Sequence, residues 1–337
     1  TEETTLDEVS PTIEAITSSG SDDDGALDGC DTVNDDVTTL GVVFDEAMHD
    51  PAGDSDPDDV TNPANYVLVK AGMDYEIDTV DCSGVLGDDI AVTLDSVSFS
   101  ATTHTATLTT SGLAHGQYRL IVCADELVDL SGNLLDSDGD GTPGDHHVTT
   151  FRVDPGNLFE NGHVDCAIDP WIPTEMVIGE VTHTDNDYRD SSLSGAVRMA
   201  NLATFDHLGV SQCIDLDGGH ELEISADFQF EPVVGTTACV HLECVAYDGL
   251  GCSGAFLDED VHDTEILNPT GAWYHVSNIF TSDPATRSLA CGVFVVECQG
   301  GDMDASVDTL RLIDNGPANP AAIFSDGFES GNLSAWN

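Results

Sequence analysis

Apolar residues recur at every second position through most of this chain, and that period constrains the fold more than any other feature. In Glu221–Phe230, Leu222, Ile224, Ala226, Phe228 and Phe230 fall on one face. A repeat of two means extended backbone with one side buried. The same alternation predicts strands at 38–44, 90–99, 103–109, 116–123, 147–153, 237–247, 273–281, 288–298 and 306–313. Asn, Asp, Gly and Pro separate them, and no long amphipathic helical pattern occurs. Many short strands joined by turns predict an all-β chain of sandwiches or closed sheets. At 337 residues the chain exceeds one typical domain, so two are expected.

Charge narrows the partners. There are 64 acidic residues against 7 basic ones, a formal net charge of −57, and Lys70 is the sole lysine. Such a field repels phosphate backbones and anionic membranes, which argues against nucleic acid. No apolar run reaches the length of a membrane helix, so membrane insertion is not expected. Two readings of the acidity stand together: a surface suited to salty water, and turn aspartates offering hard oxygen ligands to Ca²⁺. Asp136, Asp138 and Asp140, followed by Gly141, have the spacing D-x-D-x-D-G. An EF-hand would need Glu at the twelfth position, which is His147 here; Asp145 is the expected further ligand. A second acidic stretch, Asp50, Asp54, Asp56, Asp58 and Asp59, fits no defined loop.

Ten cysteines without zinc-knuckle spacing predict disulfides and an oxidising, extracellular compartment. With a domain boundary at Asp154-Pro155-Gly156, three cysteines precede it and seven follow. Both counts are odd, so full oxidation would send a bridge out of each domain. The expected local pairs are Cys82–Cys123 and Cys244–Cys252, with Cys30 as the external partner. There is no G-x-S-x-G, H-E-x-x-H or P-loop, and no carboxylate pair stands out from the acidic background, so the chain is not expected to be an enzyme.

Residues 10–154 carry SPTIEAITS, LGVVFDEAM, NPANYVLV, GQYRLIV, LVDLSGNLLD and VTTFRV in order. This segment resembles bacterial Ig-like domains of surface-layer proteins, which implies a β-sandwich used as a spacer or assembly unit. The next segment, 155–314, carries NLFENG, Trp171, SGAVRM, SQCIDL, Trp273 and VDTLRLI. It resembles carbohydrate-binding modules of families 4 and 9, which implies a jelly-roll β-sandwich. That resemblance also implies a structural calcium, mapped here to Glu160 and Asp308, and core positions for Trp171 and Trp273. Tyr188, Tyr247 and Tyr274 then remain as glycan-binding candidates.

Residues 1–9 read as an N-terminal arm, and 315–337 as a linker, NGPANP, with a C-terminal tail. The tail's DGFESG and Trp336 echo FENG and Trp171, and resemble a short element at the ends of secreted bacterial proteins. Three readings of the tail stand: the stub of a further module, a segment folded back on its own chain, or a strand docked on a neighbour through Phe324, Phe328 and Trp336, and the last would make a homo-polymer. The expectation is therefore an extracellular, calcium-stabilised structural protein that self-associates as a filament or surface array. The alternative is a glycan-binding adhesin module, and a spacer from a larger secreted enzyme is a third reading.

Overall fold

The structure is a computed structural model that describes residues 8–20, 26–27, 31–174, 180–188, 191, 194–202, 207–231, 237–299 and 303–318. It is nearly all β; among the described residues the one helical element is a 3-10 turn at Pro63–Asn65. The chain divides into two compact units, the first running through Asp169 and taking in His183–Ala196, the second formed by Pro170–Thr182 and the chain from Val197 onward.

The first unit contains β1 (Ile13–Ser18), β2 (Thr32–Val33), β3 (Thr39–Phe44), β4 (Tyr66–Lys70), β5 (Ile90–Ala91), β6 (Ser96–Ser100), β7 (Thr105–Thr109), β8 (Gly116–Val122) and β9 (His147–Val153). They form a four-stranded sheet, β1-β3-β7-β6, and a five-stranded sheet, β2-β9-β8-β4-β5. Alternation in β3 turns Leu40, Val42 and Phe44 inward against Leu68, Leu120, Val122 and Phe151 of the other sheet, all buried. The expected strand 90–99 is two strands. Ile90–Ala91 pairs with β4 and Ser96–Ser100 with β7, so the chain changes sheets between them.

The second unit is built from β10 (Ile172–Thr174), β11 (Glu180–Thr184), β12 (Ala196–Leu202), β13 (His207–Asp215), β14 (His220–Phe230), β15 (Thr237–Tyr247), β16 (Phe256–Leu267), β17 (Trp273–Thr281), β18 (Ser288–Gln299) and β19 (Met303–Pro317). Two five-stranded sheets result, β10-β13-β18-β15-β16 and β11-β12-β19-β14-β17. Their inner faces are apolar: Leu222, Ile224, Ala226, Phe228 and Phe230 from β14, and Val240, Leu242, Val293 and Val295 from β15 and β18, are buried. This is a β-sandwich with alternate residues inward. Trp171 is buried in line with expectation, whereas Trp273 is only half-buried.

Three expectations need revision. The first unit does not end at Asp154-Pro155-Gly156 but continues to Asp169. Asp154 N–H donates to Val33 O at 2.9 Å, Gly156 N–H to Asn34 O at 3.0 Å, and Asn34 Nδ2 to Phe159 O at 2.7 Å. Phe159 is fully buried, and Arg152 on β9 forms a buried ion pair with Asp165 at 2.8 Å. NLFENG is thus a turn segment of the first unit rather than the opening strand of the second. Second, Asn315–Pro317 is not linker: it extends β19, with Pro317 opposite His220.

The third revision concerns the cysteines. Cys166 moves with NLFENG into the first unit, so the counts by unit become even, four and six. Parity then demands no bridge leaving either unit. Cys82 bridges Cys123, but Cys244 and Cys252 do not bridge each other: Cys244 joins Cys291, and Cys252 joins Cys213. The cause is the sheet register. Cys244 points into the core of β15 directly opposite Cys291, while Cys252 lies in the turn beyond the strand. Cys166 and Cys239 are also disulfide-bonded. Cys30, like residues 1–7 and the tail residues Phe324, Phe328 and Trp336, lies outside the described residues.

Candidate functional site

The D-x-D-x-D-G loop precedes β9 in the first unit. Three of its four expected ligands converge: one carboxylate oxygen each from Asp136, Asp138 and Asp145 lies within 4.8 Å of the others. Local hydrogen bonds set this arrangement. Asp136 Oδ2 accepts from Gly141 N–H at 2.8 Å, and Asp145 Oδ2 accepts from Ser137 Oγ at 2.7 Å. The second oxygens, Asp136 Oδ1 and Asp145 Oδ1, are buried with no hydrogen-bond partner, and Asp136 as a whole is 4 % exposed. Two orphaned, buried anionic oxygens beside a third carboxylate are what a hard cation requires. The residues present therefore fit calcium. Asp140 does not join them; its Oδ1 accepts from Thr142 N–H at 2.8 Å and closes the turn.

The second acidic stretch does not gather into a cluster. Asp59 is fully buried, and its Oδ1 accepts from Thr61 N–H and Thr61 Oγ1, each at 2.8 Å, while Asn62 caps the 3-10 turn. Asp58 instead meets His49 at 3.3 Å. Burial, with Asp59 nearby, pushes the Tyr66 hydroxyl far above its ordinary pKa. Of the pair mapped by resemblance, Glu160 falls in the first unit and is exposed, whereas Asp308 falls in the second and is buried beside Asp227 in the β14–β19 register.

The three tyrosines do not form one site. Tyr188 belongs to the first unit and is 43 % exposed. Tyr274 is half-buried and opposite Phe228, its hydroxyl held by Thr270 N–H and Oγ1, both at 3.1 Å. Tyr247 alone lies on the outer face of the sheet β10-β13-β18-β15-β16, opposite Ser288.

That outer face carries an aromatic platform that sequence reasoning missed. Leu289, Cys291, Val293 and Val295 point inward, so Ala290, Gly292 and Phe294 point outward. Phe294 is half-buried, and its flanking positions on this face are glycines: Gly292 on its own strand and Gly209 directly across on β13. A Cβ at Gly209 would sit 2.2 Å from Phe294 Cδ1, and one at Gly292 would sit 2.8 Å from Cε2 and Cζ. The ring therefore occupies the space of both missing side chains and lies along the sheet at Cβ height. His241 stands opposite Phe294 on β15 and forms an ion pair with Asp263. Beside it are Glu243 and Glu259. Burial first, then the hydrogen-bonded Glu259, raises Glu243 above the usual carboxylate range. The signal was present as alternating small and aromatic residues in Cys291–Phe294, but Gly209 is visible only through cross-strand pairing.

No family model matches the chain, and no curated protein matches it. Among solved structures, the enzymatically active domain of bacteriophage CBA120 tailspike protein 4 aligns at 15 % identity and TM-score 0.36, covering 47 % of this chain and 21 % of that one. The match thus spans about a fifth of the tailspike domain's length. A family 16 carbohydrate-binding module aligns at 17 % identity and TM-score 0.34, covering 47 % of this chain and 99 % of the module. TmCBM61 in complex with β-1,4-galactotriose aligns at 17 % identity and TM-score 0.34, covering 47 % and 98 %.

Proposed function

We propose that this chain is an extracellular, non-catalytic glycan-binding protein that takes sugar on the outer face of the sheet β10-β13-β18-β15-β16. The observation that carries this reading is the Phe294 ring laid over Gly209 and Gly292. An aromatic face fixed parallel to a sheet offers a flat apolar surface for the C–H face of a pyranose. Polar groups beside it orient such a ligand. Here His241, Asp263, Glu243 and Glu259 supply acceptors and donors for hydroxyls, and Tyr247 extends the aromatic surface along β15. The three disulfides with both partners described fit an oxidising compartment. Among the described residues no helix is long and apolar enough to cross a membrane. The first unit serves as an Ig-like spacer in this reading. The filament or surface-array subunit, the main expectation from the sequence, rests on tail residues outside the described ones and is not adopted.

The test is a glycan array probed with the full chain, followed by titration of any hit against Phe294→Ala. Binding should fall at least about tenfold, equivalent to ~1.4 kcal/mol, with the melting temperature unchanged. An array without hits, or a Phe294→Ala variant that binds as well as the parent, would overturn the reading.

Calcium in the Asp136–Asp145 loop is the second part of the proposal. A site that binds only the folded state adds about 2.7 kcal/mol at one hundred times its dissociation constant. For a unit of this size that corresponds to a rise in melting temperature of roughly 5–10 °C. Calorimetry in calcium against chelator should show this rise for the parent and not for Asp136→Asn. An equal rise in both would place the effect in nonspecific screening of the acidic surface.

A further inference from the structure

A second cluster in the first unit has ligand chemistry of a different kind. His115 immediately precedes β8, and Asp154 immediately follows β9. These antiparallel strands pair Gly116 with Val153, so one further step along the ladder sets His115 beside Asp154. His163 comes from the turn segment held by the Asn34–Phe159 and Arg152–Asp165 contacts. The three side chains meet: His115 Nε2 is 3.4 Å from His163 Nε2, and the two nitrogens lie 3.6 Å each from Asp154 oxygens.

These separations are longer than the roughly 2.7–3.2 Å of a good hydrogen bond. They do match another geometry. Around zinc, with Zn–N and Zn–O near 2.0–2.1 Å, tetrahedrally disposed ligand atoms are about 3.3–3.4 Å apart. We propose that His115, Asp154 and His163 form a divalent transition-metal site, with zinc as its ion.

The surroundings support this. Asp154 is 0 % and His163 2 % exposed. Arg152 is held by Asp165 through two hydrogen bonds, at 2.8 and 3.1 Å, which fixes the turn segment that carries His163. A buried carboxylate converging with two imidazole nitrogens is a donor set of the kind that holds such an ion. Asn157 Nδ2 donates to Asp154 Oδ2 at 3.0 Å and fixes the carboxylate, the usual support for a ligand. Imidazole nitrogens select zinc-like ions over calcium.

The site also has an entry path. A cavity of ≈ 340 Å³ reaches His115 and is further lined by Lys70, Tyr75, Arg152, Asp187 and Ser194. Three protein ligands and an open side place a water or a ligand's oxygen in the fourth position. Nothing in the chain's spacing resembles a zinc motif, because the ligands come from two strand ends and a separate turn.

The test uses the full chain, stripped of metal and kept in excess calcium so that exposed carboxylates are occupied. Zinc titration by calorimetry should give one tight equivalent, and cobalt substitution should give the intense visible bands of a tetrahedral site. His115→Ala should weaken binding by about 100-fold and abolish those bands. Because the His115 side chain is 33 % exposed, this variant is expected to fold even if Asp154→Asn does not. The calcium-loop variant Asp136→Asn should keep the zinc equivalent. Only weak, multi-equivalent zinc binding, or tight binding unchanged by His115→Ala, would overturn the proposal.

Discussion

Replacing Arg152 with leucine is expected to destabilise the first unit by about 3–5 kcal/mol, the cost of leaving one partner of a buried ion pair alone. Arg152 and Asp165 are 4 % and 2 % exposed at their side chains, and two parallel N–H···O bonds at 2.8 and 3.1 Å join them. The pair closes the turn segment 155–169 onto β9, so its loss should loosen that segment as well as charge the core. In calorimetry the first unit's transition should fall on the order of 10 °C. The companion Asp165→Leu should cost a similar amount, while the double leucine variant should recover most of the loss, since well-packed apolar groups replace a buried pair at little cost. A single substitution as mild as the double one would mean that solvent reaches the pair.

That turn segment also marks the limit of what alternation could reveal. The strands were legible because the period of two depends only on neighbours in sequence: Glu221–Phe230 reads directly as one inward and one outward face. The convergence of Asp136 with Asp138 and Asp145 was legible for the same reason, since these residues lie within one loop; only Asp140, drawn off to Thr142 N–H, departs from the expected set. The boundary was not legible. NLFENG resembles the opening of a module, but Phe159 is fully buried and its carbonyl accepts from Asn34 of the first unit, far away in sequence. The same holds for both sites found only in the structure. Phe294 becomes a platform because Gly209 lies across the ladder. His115 meets Asp154 because Gly116 pairs with Val153. Register creates these sites, and a single sequence does not print register. The misassigned cysteine pair has that cause too: Cys252 is nearer to Cys244 along the chain, but Cys291 is its neighbour in the sheet.

Removing that cross-strand bridge, by Cys244→Ala with Cys291→Ala, should be the most damaging change in the second unit. The two residues are 47 positions apart, and closing a loop of that size constrains the unfolded chain by about 4 kcal/mol. The Cys213–Cys252 bridge closes a loop of similar size, 39 positions, so chain entropy alone predicts nearly equal losses. Burial separates them. Cys244 and Cys291 are 2 % and 0 % exposed, packed on the inner face of the sheet, whereas Cys213 is exposed on the outer face. Alanine at the inner pair also removes buried sulfur and leaves a void, adding about 1–2 kcal/mol. Urea denaturation of the two double variants should therefore place the inner one lower in midpoint. Accessibility makes an independent prediction: mild reductant acting on the folded chain should open Cys213–Cys252 while Cys244–Cys291 persists until urea unfolds the unit. Mass mapping of trapped thiols reads this directly. If Cys244 and Cys291 were labelled first, the sheet that carries the Phe294 platform would be opening more readily than its buried inner face allows.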